Sequence, residues 1–104
     1  MDLVVGVFRV SEKFPKSQLY GLTSQITRAA ASVPANIAEG SARCASADYA
    51  RFLAIAKGSL AEVETYLLLS ERLGYLTADD LSGLFVLITE ISKMLAALRA
   101  KLKA

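Results

Sequence analysis

Hydrophobic positions recur along the chain at the spacing of helices that bury one face. Residues 19–40 carry apolar side chains at alternating steps of three and four residues: Leu19, Leu22, Ile26, Ala29, Val33 and Ile37. A polar stripe runs beside it and comprises Gln25, Arg28, Ser32, Asn36 and Glu39. The pattern predicts a central helix that begins at an N-cap, Ser17, and ends at Gly40. Pro34 removes one backbone hydrogen bond, so we expect a kink there.

Three further segments show helical periodicity. Residues 2–13 predict a short first helix, which Phe14-Pro15 ends because the residue before a proline avoids the helical conformation. Residues 46–73 predict a long helix with Ser46 as N-cap and Gly74 as its stop, burying Tyr49, Phe52 or Leu53, Ala56, Leu60, Val63, Leu67 and Ser70. The last helix follows a Thr77 cap with a heptad seam of Leu81, Leu84, Ile88, Ile91, Leu95, Leu98 and Leu102.

Short connections between four helices favour antiparallel neighbours. No stretch of any length alternates between apolar and polar residues as a half-buried strand does. The sequence therefore predicts one all-α domain over residues 1–104, an up-down-up-down four-helix bundle.

The composition bears on assembly and location. Apolar residues make up 54% of the chain, yet the longest uncharged run, residues 17–27, is about half the ~20 residues that span a membrane. We therefore expect no membrane association, and expect apolar surface to be buried between subunits. The Met1-Asp2 start lacks a basic signal region, and the single cysteine, Cys44, excludes an internal disulfide. A cytoplasmic location is expected.

The residue types give little support to catalysis. The chain has no histidine and one cysteine, so the commonest general base and the usual zinc ligand sets are missing. Glu62 and Glu64 lie two residues apart and point to different faces of their helix. Glycines occur singly and make no phosphate-binding loop. We expect no enzyme activity, no cofactor and no metal site.

Charge suggests a different function. Residues 91–104 carry four bases and no acid, although the net charge of the whole chain is only +2. Candidate phosphate contacts are Arg28, Arg43, Arg51, Lys57, Lys93, Arg99 and Lys101. The alternative for the C-terminal bases is that they complement the end of the last helix and solvate it. The seam residues Gln25, Asn36, Glu39 and Glu62 predict a hydrogen-bonded network between helices or subunits, in which Arg28 pairs with Glu39 or Glu62; alternatively, Arg28 faces a ligand.

Several motifs resemble a known family. They are Phe14-Pro15, Tyr20-Gly21-Leu22, the run Ser32-Val33-Pro34-Ala35-Asn36-Ile37-Ala38-Glu39-Gly40, Arg51-Phe52-Leu53, Gly58-Ser59-Leu60 with Glu62, and Leu73-Gly74-Tyr75-Leu76. Together they resemble the four-helix-bundle proteins encoded in intervening sequences of 23S ribosomal RNA genes, and the similar accessory variability determinant proteins of diversity-generating retroelements. The resemblance implies a left-handed bundle that assembles as a homopentamer. For the retroelement members it also implies a basic surface that contacts RNA and a reverse transcriptase.

This chain departs from the family pattern in two places. The first helix is short by roughly two turns, and one of two adjacent bases is replaced, leaving Thr27-Arg28. Two functional hypotheses follow. In the first, a non-catalytic oligomer associates with structured RNA or a ribonucleoprotein through its bases. In the second, the oligomer is a protein-binding scaffold with no nucleic-acid role, and its bases only keep it soluble.

Overall fold

Four helices follow the predicted order along the chain. The computed structural model describes residues 1–103, with side chains described through residue 102. The helices are α1 (Asp2–Ser11), α2 (Ser24–Ser41), α3 (Ser46–Arg72) and α4 (Ala78–Lys103), and a 3₁₀ turn (Lys16–Gln18) and a π turn (Leu19–Thr23) precede α2. Helix α1 packs against α2 and α4, and α3 packs against the same two helices, which closes a bundle. The prediction of an all-helical bundle with a short first helix is confirmed.

The predicted apolar stripes form the core. Helix α2 buries Ile26, Ala29, Ala30 and Val33, and Ile37 is partly buried. Helix α3 buries Leu53, Ala56, Leu60, Val63, Leu67 and Ser70 as expected, with Ser59 in addition. The α4 seam contributes buried Leu81, Leu84, Ile88 and Leu95 and partly buried Ile91, Leu98 and Leu102. Burial of these faces is the main favourable contribution to folding.

The start of the second helix differs from the prediction. Ser17 lies in the 3₁₀ turn and caps nothing, and the regular helix begins seven residues later, at Ser24. The backbone at Gly21 is non-helical, with φ −108° and ψ −110°, and the Gln18 side chain accepts a hydrogen bond from the Leu22 amide at 3.3 Å. The apolar spacing continues through this break, which is why periodicity alone placed the helix start too early.

Gly40 does not stop the helix as predicted. It lies inside α2 and has no left-handed backbone conformation. A Cβ at Gly40 would lie 2.8 Å from the Phe52 Cβ and 2.9 Å from the Tyr49 Cδ1, so the glycine is what lets α3 approach α2 closely. Ser46 is the first residue of α3, not its cap; Ala45 holds the cap position with extended backbone. The kink at Pro34, which lies within α2, and the handedness of the bundle stay predictions.

The turn between α3 and α4 follows its sequence signals. Gly74 has φ +80°, and the amides of Gly74 and Tyr75 bond to the carbonyls of Glu71 and Ser70 at 3.0 and 2.9 Å. This is the Schellman arrangement that ends a helix on a left-handed glycine. The Thr77 cap is confirmed: its Oγ1 accepts from the amide of Asp80 at 3.3 Å while the Asp80 carboxylate accepts from the Thr77 amide at 2.8 Å.

Asp80 also joins α4 to the segment that follows α1. Its carboxylate forms an ion pair with the ammonium group of Lys13. The hydrogen bond from Lys13, followed by that from the Thr77 amide, lowers the pKa of Asp80 below its ordinary value of 3.8. The ion pair links the segment after α1 to the start of α4 at this end of the bundle.

Helix α4 is more apolar than the uncharged-run criterion indicated. Residues Ala78–Leu102 are long and apolar enough, by length and composition, to cross a membrane, and an 18-residue window within them has a mean hydropathy of 1.7. The length of the longest uncharged run did not reveal this helix, because Glu90 and Lys93 interrupt its apolar run but lower its mean hydropathy only a little. One such helix is weak evidence, since the core helix of a bundle has the same composition, and here its seam packs on the other helices.

Candidate nucleic-acid interface

Helices α2 and α3 meet along the predicted polar seam. Ser32 and Ser59 hydroxyls lie 2.8 Å apart, and the Tyr66 hydroxyl donates to the Gln25 side-chain oxygen at 3.0 Å. Asn36 donates to both the carbonyl and the hydroxyl of Ser32, each at 2.8 Å. Gln25 therefore bonds across to α3, and Asn36 joins the cross-helix Ser32–Ser59 pair from within α2.

Arg28 forms an ion pair with neither of its two predicted partners, Glu39 and Glu62. Glu39 pairs instead with Arg43, at 2.6 Å, because the two residues lie one turn apart on the same side of α2 and its end. Arg28 lines an open groove between α2 and α3, of about 380 Å³, and Glu62 lies on the opposite wall. Among residues 1–102, neither Arg28 nor Glu62 forms an ion pair. The charges of Arg28 and Glu62 therefore both face the groove without an ion-pair partner among these residues.

Two of the candidate bases lie over one aromatic ring. The guanidinium carbons of Arg43 and Arg51 lie 5.1 and 4.5 Å from the centroid of the Phe52 ring. A guanidinium over an aromatic face is attracted by the negative charge of that face. The ring thus holds two cations close together beside the connection between α2 and α3, although Arg43 is also engaged by Glu39.

Three more candidate bases share the groove between α3 and α4. One part of this groove, of about 300 Å³, is lined by Lys57, Ser92 and Arg99. The adjoining part, of about 380 Å³, is again lined by Lys57 and Ser92, and adds Lys93 together with one carboxylate, Glu64. The Nε of Arg99 is buried and has no hydrogen-bond partner in the part of the chain whose side chains are described. This groove is the largest gathering of predicted contacts.

The antiparallel arrangement of α3 and α4 brings Arg51, near the start of α3, and Lys101, near the end of α4, to the end of the bundle where Arg43 follows α2, whereas Arg28 lies further back along α2. The groove reflects this arrangement, since its Glu64 part is lined by residues 88–93 of α4 and its other part by residues 92–100. From Lys93 to Lys101 is about 12 Å along a helix. Over residues 48–57 and 93–102 the single acid is Asp48, and near the end of α2 a second acid, Glu39, is paired with Arg43. Here α2 and α4 end and α3 begins, and we call this region the basic end.

Sequence reasoning missed two residues of these sites. Tyr20 also lines the α2–α3 groove and is 94% exposed, directly before the non-helical backbone at Gly21. Ser59 supplies the floor of that groove, at a position that the helical period assigned to the outside of the core stripe. An aromatic residue next to a glycine, just before a helix, was the available signal for Tyr20. Ser59 reaches the groove because of the register between α2 and α3, and that register has no comparable signal in the sequence.

Comparison with known proteins identifies the family. The 23S rRNA-intervening sequence protein family matches residues 1–97. The chain is also similar to a crystal structure of a protein of unknown function from the S23 ribosomal protein family of Bacteroides thetaiotaomicron, with a TM-score of 0.85 and 27% identity over 94% of this chain and 92% of that one. No curated protein matches. The chain belongs to the 23S rRNA-intervening sequence protein family.

Proposed function

We propose that this protein is a non-catalytic helical bundle that associates with structured RNA, alone or in a ribonucleoprotein, through its basic end. Lys57, Lys93 and Arg99 are the central contacts, and Arg43, Arg51 and Lys101 extend the surface. The reverse transcriptase implied by the sequence resemblance is a candidate protein component of such a ribonucleoprotein.

The observation that carries the proposal is the groove between α3 and α4. Its two basic wall residues from α4, Lys93 and Arg99, face Lys57 on α3, and Glu64 is the one acid beside them. Cations held close together in a groove attract phosphates more strongly than the same cations spread over a surface. Arg99 lines this groove and forms no ion pair among residues 1–102, so its guanidinium group is available to a phosphate oxygen.

We propose in addition that the protein works as a homo-oligomer, with a pentamer as the form that the sequence resemblance implies. Large hydrophobic side chains remain exposed on the single chain, among them a stripe one and two turns apart on α1: Met1, Val5 and Phe8, which are 81, 46 and 48% exposed. Burying such side chains between copies is favourable. Assembly would also repeat the basic groove, and several copies would act on one RNA together.

A second candidate function has its own support. The same exposed apolar side chains would suit a protein partner, so a scaffold that binds protein and ignores RNA is the alternative. Its cytoplasmic setting would be the same. The two candidates differ in what happens to RNA at low salt.

The deciding experiment measures RNA affinity against salt for two variants of equal charge. The groove variant replaces the three groove bases by glutamine: K57Q, K93Q and R99Q. The control variant removes three exposed bases near the other end of the bundle: R9Q, K16Q and R72Q. Fluorescence anisotropy with a labelled RNA hairpin gives the slope of log K against log salt, and light scattering in the same buffer gives the oligomeric state.

The groove variant should lower the slope by about 2 to 3 per chain, since each phosphate contact contributes ~0.7–0.9. The control variant should leave it nearly unchanged while the assembly size stays the same. Equal losses in both variants would mean that affinity follows net charge and not the groove. An oligomer that ignores RNA even at low salt would refute the RNA proposal in favour of the scaffold.

A further inference from the structure

We infer that the groove between α2 and α3 is a recognition site for an unpaired guanine base. This inference deepens the proposed function and rests on it, because the base is expected to come from the RNA held at the basic end. The groove lies on the other side of α3 from the groove of Lys57 and Arg99, and no residue lines both. It is therefore a separate site on the same bundle.

Two cross-helix hydrogen bonds define the length of the site. The bond between Ser32 and Ser59 closes one end, and the bond from Tyr66 to Gln25 spans the helices seven residues further along each. Seven residues of helix are about 10 Å. Arg28 and Glu62 lie between these bonds and, by the same register, at nearly the same level on opposite walls. The space between the bonds is thus flanked by one free cation and one free carboxylate.

The charges on the two walls match the edges of guanine. Its O6 and N7 atoms accept the two parallel hydrogen bonds that arginine donates, and its N1–H and N2–H₂ groups donate to a carboxylate. Adenine, cytosine and uracil do not present two adjacent donors on one edge. The Gln25 side-chain oxygen is occupied by Tyr66, which leaves its amide hydrogens as further donors toward the groove. Guanine is the base that satisfies Arg28 and Glu62 together.

Tyr20 supplies the third element of base recognition. Its ring is the most exposed large hydrophobic side chain of the described residues, at 94%, and it stands at the edge of this groove. The backbone leaves the helical conformation at Gly21, directly after Tyr20, with φ −108° and ψ −110°. Unpaired bases stack on such aromatic rings, and the stacking tolerates every base. Tyr20 would therefore contribute affinity for any unpaired base, and Arg28 and Glu62 would select guanine among the bases.

The first test uses free nucleotides and detects binding by chemical-shift perturbation in NMR. The oligomeric wild-type protein is titrated with 5′-GMP, 5′-AMP, 5′-CMP and 5′-UMP. We expect 5′-GMP to bind about fivefold or more tightly than the others, the factor for one good bidentate contact, and to shift the Tyr20 and Glu62 signals. Y20S should weaken binding of every nucleotide, while Y20F should retain it. Equal binding of all four nucleotides, or shifts confined to the α3–α4 groove, would overturn the inference.

The second test separates this site from the proposed function. Two RNA hairpins with the same stem carry loops of guanines or of adenines. We expect E62Q to reduce the affinity for the guanine loop to that for the adenine loop, and E71Q, which alters an exposed carboxylate of α3 outside both grooves, to leave the preference intact. Equal wild-type binding of both hairpins would overturn the guanine site and leave RNA association standing. Binding of 5′-GMP without binding of either hairpin would support the site and refute RNA association.

Discussion

A single methyl group at Gly40 should destabilise the bundle, although alanine is the better helix former. The new Cβ would lie 2.8 Å from the Phe52 Cβ and 2.9 Å from the Tyr49 Cδ1, distances that real Cβ atoms essentially never show. The Phe52 Cβ is fixed to the α3 backbone, so relief requires the helices to separate. Overpacking costs ~1–3 kcal/mol and the gain of alanine over glycine in a helix is ~0.5–1 kcal/mol, which leaves a net loss of about 1–2 kcal/mol.

The measurement is thermal unfolding followed by far-UV circular dichroism at one fixed protein concentration, because the Tm of an oligomer depends on concentration. For a domain of this size, Gly40→Ala should lower Tm by about 4–15 °C. Gly58→Ala and Gly83→Ala are matched controls, since both glycines lie inside helices and a Cβ there meets no atom within 4 Å. Each should raise stability by ~0.5–1 kcal/mol. A Gly40→Ala protein as stable as these controls would refute the close approach of α2 and α3.

Two further predictions concern the turn between α3 and α4. Asp80→Asn should lower the free energy of unfolding at neutral pH and make it depend less on pH in acid. The pKa of Asp80 is lower in the folded state than in the unfolded state, so its charged carboxylate stabilises the fold at every pH above the unfolded pKa. This stabilisation is lost as the pH falls through the folded-state pKa. Urea unfolding from pH 7 down to pH 3 checks this, and parallel curves for both proteins would contradict it. Gly74→Ala should cost ~1–2 kcal/mol at its left-handed conformation, and an unchanged urea midpoint would contradict the assigned turn.

The helices could be predicted well where a strict apolar period determines which face is buried. Their ends could be predicted less well, because a helix end depends on the backbone conformation of a single residue. The seam of α4 and the buried face of α3 follow directly from their apolar spacing. The irregular backbone at Gly21 has no signature in that spacing, since Leu22 and Ile26 keep the period through the break. The role of Gly40 was predicted wrongly because a glycine after a helical run fits both a stop and a close approach. Only the position of α3 distinguishes the two.

The candidate interface was less predictable than the fold. The bases themselves were visible in the sequence, but which of them share a groove depends on the register between helices. That register brings Lys57 to Arg99, more than forty residues away along the chain. Arg28 and Glu39 lie eleven residues apart on α2, about 16 Å along the helix axis, so they cannot pair within one chain, and Glu39 pairs with Arg43 one turn away. Long-range pairing of exposed charges is set by the packing of the buried faces, which a pattern of charges does not encode.

Helix α1 leaves an apolar region uncovered next to the basic end, so the proposed assembly and the proposed RNA surface lie close together on the bundle. Helix α1 is ten residues long and α3 is 27, about 15 and 40 Å, so α1 covers less than half of the bundle. Near Met1, the side chains of Ile37 and Ile91 remain only partly buried and Met94 is exposed. Beyond this point lies the basic end. A copy that covered this apolar region would place its own basic end beside the first.

A net charge of +2 per chain gives little long-range attraction, whereas adjacent basic ends would present several grooves to one RNA. If the two proposals are linked in this way, a substitution that dissociates the oligomer without touching a base should weaken RNA binding nearly as much as loss of the groove bases. Met94→Asn is such a substitution. It would introduce a polar amide into the apolar region while leaving Lys93 and the net charge unchanged. Light scattering would show whether the oligomer has dissociated, and anisotropy would show whether RNA affinity falls with it. Full RNA affinity in a dissociated protein would separate the two proposals.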